Sequence, residues 1–110
     1  RYCAVPHARV IIGNNDHSAV DDALQAIGRK RKTVLQASTF ASIASLIRGT
    51  DVIASLPSRL ERHVMAGFTK CAFPVEFPEY SFAQAWHVRN AASAPHKWLC
   101  GEIFKISRRL

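Results

Sequence analysis

Two hydrophobic periodicities alternate along the first two-thirds of the chain. Arg9-Val10-Ile11-Ile12-Gly13 is a short β-branched run closed by Gly13-Asn14-Asn15, and it predicts a buried strand. Ser18 follows as a helix N-cap, with Asp21 and Asp22 in the first turn. Val20, Ala23, Leu24 and Ile27 then fall on one helical face, and Gly28 sits where a C-terminal glycine is expected. The same order recurs. Thr33-Val34-Leu35-Gln36-Ala37 predicts a strand, and Ser38 or Thr39 can cap a helix whose face is Phe40, Ile43, Ala44 and Ile47, ended by Gly49. Asp51-Val52-Ile53-Ala54-Ser55-Leu56 predicts a third strand. Pro57-Ser58-Arg59-Leu60-Glu61 then opens a third helix, with Ser58 and Glu61 at capping-box spacing. Strand–helix order three times over predicts an α/β fold: an open, mainly parallel sheet with helices on its faces and right-handed crossovers.

The remainder has a different pattern. Lys70 to Phe77 is extended and broken by proline at 74 and 78, and Ser81 to His87 predicts a further strand. Asn90 to Ala94 is a loop of polar and small residues. Pro95 starts a last helix, with Leu99, Ile103, Ile106 and Leu110 as its apolar stripe and Lys105, Arg108 and Arg109 near its C-terminus, where cations suit the helix dipole.

Composition narrows the picture. The chain has 110 residues, 48% of them hydrophobic, which is enough for one domain and too few for two. It begins with Arg1, and we read it as a piece of a longer protein. Its formal charge of +7 permits contact with nucleic acid or an anionic surface without requiring it. Three cysteines, Cys3, Cys71 and Cys100, do not make a disulfide framework and fit a reducing, cytoplasmic setting. No apolar stretch approaches the roughly 20 residues of a membrane span.

Candidate chemistry lies at the strand ends. In open parallel sheets, ligands bind beyond the C-terminal ends of the strands. Those ends are Gly13-Asn14-Asn15, Ala37-Ser38-Thr39-Phe40 and Leu56-Pro57-Ser58. The second and third lead into helix N-termini, where free N–H groups favour an anion such as a carboxylate. The plainer reading makes Ser38 and Ser58 helix caps and Asn14-Asn15 a turn. The five histidines show no close helical pairing with each other, and none is read as paired with a cysteine, so neither a metal nor a cofactor is expected. No nucleophile elbow, phosphate-binding loop or paired carboxylates supports an enzyme. Asp21 and Asp22 are explained by the helix dipole. Arg29-Lys30-Arg31-Lys32 reads as a solvated turn after a helix, or alternatively as a phosphate-binding patch. Trp86 and Trp98 read as core anchors, Trp86 on its strand also being placed to line a ligand.

Residues 20–24, the strand 33–37 and the run 40–57 follow one another in an order that resembles LysR-type transcription regulators. The run Gly49-Thr50-Asp51-Val52-Ile53-Ala54-Ser55-Leu56-Pro57-Ser58-Arg59-Leu60 looks like the second lobe of their C-terminal effector-binding domain. Trp86-His87 and Pro95-His96-Lys97-Trp98-Leu99 look like the closing strand and helix, most of all in the branch with the nodulation regulators. The resemblance implies one lobe of a type-2 periplasmic-binding-protein-like domain, three-layered, in which a small effector sits in an inter-lobe cleft. It implies the second lobe over about residues 8–85, with a return strand and C-terminal helix over about 82–110. Carried over by position, the cleft-facing candidates are Asn14, Ser38, Thr39, Phe40 and Pro57. The implied partners are a small-molecule effector, a carboxylate or aromatic acid among the options, and DNA only through a domain absent here. With a lone lobe, a second copy of the chain is expected to cover the last helix, giving a homo-oligomer without membrane contact. Two alternatives stay open: a lobe of a solute-binding protein, and a small basic nucleic-acid-binding module.

Overall fold

The computed structural model describes residues 1–14, 16, 18–79 and 81–109, so Asn15, His17 and Leu110, named above, lie outside the described residues. At its centre runs β1 (Pro6–Val10), flanked by β2 (Lys32–Ala37) and β3 (Ile53–Ala54) in the order β2-β1-β3, every pair parallel. The first strand therefore lies earlier than the 9–13 run suggests. Pro6 is tolerated because it is the strand's first residue, and Gly13, at φ 67°, turns the chain away just past the apolar run. Ile11 N–H still donates to the Ala37 carbonyl at 2.8 Å.

Helix α1 (Ala19–Ala26) begins after Ser18 as expected, but the Ser18 hydroxyl does not cap it; it accepts from Arg31 Nη2 at 3.2 Å. Helix α2 (Phe40–Ile47) is capped by Thr39, whose Oγ1 accepts from Ser42 N–H at 3.1 Å. Its predicted face is the buried one: Ile43, Ala44 and Ile47 are buried and Phe40 half-buried. Ile43 and Ile47 pack on Ala8 of β1, with Val10, Leu35, Ala37, Val52, Met65 and Phe68 around them. Side chains alternate across a strand, so His7 and Arg9 point to the opposite face, where Asp21 of α1 meets Arg9.

The third strand–helix unit is reduced. Thr50 Oγ1 accepts the Val52 N–H at 3.2 Å, and the ladder covers only two residues of the expected 51–56. The helix expected at 57–61 is one 3-10 turn, Ser58–Leu60, with Pro57 at its N-cap and no capping bond from Ser58. The Leu60 carbonyl then accepts the N–H groups of His63, Val64 and Met65, at 3.3, 3.0 and 3.3 Å. With three donors converging on one acceptor, the i to i−4 pattern does not propagate. Arg48 fastens this segment to the end of α2: its Nη2 donates to the Ala66 carbonyl at 3.3 Å and its guanidinium lies 4.6 Å from the Phe68 ring.

Residues 1–77 and 78–110 form separate units. The second contains the 3-10 turn Val88–Asn90 and α3 (Ala94–Ser107), with Pro95 in the first turn as expected. The expected strand at 81–87 is absent: these residues form no ladder, and Phe82 is 89% exposed. Trp86 and Trp98 are exposed within the unit, not core anchors, and Leu99, Ile103 and Ile106 of the predicted stripe are exposed too. Among the described residues no α3 side chain is buried. No helix among them is long and apolar enough to cross a membrane.

Candidate ligand-binding site

Because the three strands are parallel, their C-terminal ends share one edge of the sheet. Beyond it come the exposed turn at Gly13-Asn14, the Ser38-Thr39-Phe40 junction and the Ser55-Leu56-Pro57 segment. All five candidates fall in these segments. Only the middle one leads into an α-helix. Pro57 precedes a three-residue turn, so the anion-favouring helix terminus expected there is missing, and α2 alone supplies one. Thr39 has its Oγ1 engaged by Ser42, through the N–H and through the hydroxyl at 2.8 Å. Ser38 is exposed and Phe40 half-buried.

The sheet's other face carries chemistry that the pattern reading passed over. Arg31 is 5% exposed, not part of a solvated turn; only Arg29, Lys30 and Lys32 of that run are exposed. Its Nε and Nη2 donate to the two Asp21 oxygens at 2.6 and 3.1 Å. Arg9 adds Nη1 to Asp21 at 3.4 Å and Nη2 to Asp16 at 2.5 Å. Burial by itself would raise the Asp21 carboxyl, but the hydrogen bond and charge of Arg31, then those of Arg9, outweigh it and hold its pKa below the usual value. Asp21 is thus the counter-ion of two arginines besides facing a helix dipole.

His7, on the central strand, is fully buried. Its Nε2–H donates to the Tyr2 carbonyl at 2.9 Å, the Tyr2 ring packs edge-on at 4.5 Å, and Nδ1 has no partner among the described residues. Burial is the largest influence and lowers its pKa; the Tyr2 bond opposes this, Arg31 lowers it further and Asp21 raises it. The Tyr2 hydroxyl in turn bonds Ser55 just past β3. A histidine and a cysteine do pair after all. His96 and Cys100 are four apart on α3, with Sγ 3.7 Å from Nε2, and the Trp86 ring lies 5.5 Å from His96. The spacing was readable in the sequence. Among the described residues no group of three metal-ligating side chains exists.

No family-level profile matches the chain. Individual relatives do. The HTH-type transcriptional activator NahR of Pseudomonas putida is 30% identical over 108 residues, covering 96% of this chain and 36% of NahR. The HTH-type transcriptional regulator SyrM of Rhizobium meliloti is 36% identical over 84 residues, 74% of this chain and 26% of SyrM. The crystal structure of the regulatory domain of MexT, a transcriptional activator in Pseudomonas aeruginosa, superposes with a TM-score of 0.78 at 32% identity, over 93% of this chain and 52% of that one. Sheet, helices and this overlap define part of a periplasmic-binding-protein-like regulatory domain. The chain belongs to the LysR-type transcription regulators. It spans about a third of the length of the curated relatives it matches.

Proposed function

We propose that this chain is the second lobe of the effector-sensing domain of a transcription regulator, together with the return segment and last helix, and that it performs no catalysis. The observation that carries the reading is the convergence of three parallel strand ends and the α2 N-terminus on one edge, in a fold shared with the MexT regulatory domain. A small carboxylate or aromatic acid sits against Asn14, Ser38, Thr39, Phe40 and Pro57. Its carboxylate takes the free α2 N–H groups and the Ser38 hydroxyl, while Phe40 and Pro57 offer apolar contact. A companion lobe closes the cleft, and an effector that prefers one lobe arrangement shifts the population. The regulator works in the cytoplasm as a homo-oligomer, with a second copy meeting α3 where the companion lobe does not. It reaches DNA through a domain outside this chain.

Titrating the chain with benzoate while following amide resonances tests the site. Shifts concentrated at Asn14, Ser38 to Phe40 and Pro57 are expected; shifts confined to other segments would overturn the assignment. In the full reading frame, Ser38→Ala should abolish a transcriptional response while leaving DNA binding unchanged. A reading frame that encodes no helix-turn-helix domain would end the regulator reading.

A further inference from the structure

A half-open cavity, separate from the strand-end candidates, lies between α1 and the start of β2. Its volume is about 350 Å³, within the range of small-molecule sites, and none of the five cleft candidates lines it. Arg9, Arg29, Lys30 and Arg31 face a single carboxylate, Asp21, in its lining. Counting Asp16, which holds Arg9 from outside the lining, two positive charges have no carboxylate partner among the described residues. Arg29 and Lys30 are exposed and make no ion pair among the described residues.

Two further observations separate this cavity from a chance run of basic residues. The Arg31 side chain is 2% exposed, so its charge acts where screening by water is weak. Arg9 Nε is buried and has no acceptor among the described residues, although Nη1 and Nη2 of the same guanidinium are both engaged. A buried N–H of a charged group lacking an acceptor is costly, so the charge of Arg9 is incompletely paired behind the wall. Thr33 and Gln25 add a hydroxyl and an amide to the wall, which suit the remaining oxygens of a tetrahedral anion. Among the described residues no aromatic side chain lines the wall, so they offer nothing on which a base could stack.

We propose that this cavity binds a phosphoryl dianion, either free phosphate or the phosphate group of a small monoester. Two positive charges match two negative charges, and planar guanidinium groups match tetrahedral oxygens. The site lies on the opposite face of the sheet from the α2 core, and its test is independent of the effector cleft.

Inorganic phosphate and glycerol phosphate, titrated separately at pH 8 with ionic strength held constant by sodium chloride, test the proposal through amide resonances. Saturable shifts at Arg29, Lys30, Arg31 and Thr33 are expected with at least one of them, and the tighter ligand identifies the source. The double variant Arg29→Glu with Lys30→Glu changes only exposed side chains; it should keep its thermal midpoint and bind at least about tenfold more weakly. Shifts no larger than sodium chloride produces, or unchanged affinity in the double variant, would overturn the proposal. So would duplex DNA moving the same resonances at a far lower concentration, which would give the surface to nucleic acid instead.

Discussion

Residues 1–77 and 78–110 have similar apolar content but use it differently. In the first unit, β1 is bracketed by two parallel neighbours, α2 seals one face, and the other face holds a buried histidine and a guanidinium–carboxylate cluster. In the second, a 14-residue helix has equally good end signals, Ser93 and Pro95, yet buries no side chain among the described residues. Capping and periodicity suffice to make a helix. A core needs a second apolar surface facing the first. Stability in this chain therefore resides in the α/β unit, and α3 is a well-formed element whose apolar residues are exposed.

The largest effect that would sharpen this contrast comes from Ile43→Ala. Removing a fully buried branched side chain should cost about 3 kcal/mol, read as a lower denaturant midpoint. Asp21→Asn comes next. It leaves Arg31 buried without its counter-ion and should cost about 2 kcal/mol, less than a fully enclosed pair because Asp21 is itself a third exposed. A neutral outcome would mean that the cluster contributes nothing to the fold. The third effect is on pH dependence. The folded state holds His7 neutral below the value, 6.5, at which the unfolded chain takes up its proton. Stability should be full above that pH and fall below it, by at most about 1.4 kcal/mol per pH unit. His7→Gln should flatten the decline seen in thermal melts between pH 7.5 and 5.5. The lowered Asp21 carboxyl adds a separate loss only below pH 3.8. Thr39→Ala, which removes the α2 cap, should cost about 1 kcal/mol by chemical denaturation. Ile103→Ala in α3 should change stability by less than about 0.5 kcal/mol. If it cost as much as Ile43→Ala, the contrast between the two units would collapse.

What was legible in the sequence was local. Phe40, Ile43, Ala44 and Ile47 announce the buried face of α2, and Gly28 and Gly49 mark two helix ends at φ 67° and 75°. The strand-end candidates followed from parallel topology, which the strand–helix order implies. What escaped was non-local. Arg31 looks like one more cation in a basic run until Asp21, ten residues earlier, is placed beside it by the packing of α1. The strand expected at 81–87 has the right residues but no partner strand in its unit, and a strand is defined by its neighbour. The first strand lies earlier because β-branched residues at 10–12 outweighed Pro6-His7-Ala8, which are extended by pairing with β2 and, at His7 and Ala8, with β3 as well. The His96–Cys100 pair was legible at four-residue spacing.

The two edges of the sheet also differ in their exposure to misassembly. β3 is only two residues long, and Thr50 takes the amide of Val52, so this side gives a foreign strand little to zip onto. β2 is six residues long, with Val34 half exposed and no described strand beyond it. Lys32, at its first position, is the charge standing guard there. If this chain forms fibrils or swapped dimers at high concentration, they should grow from the β2 side, and neutralising Lys32 should accelerate them.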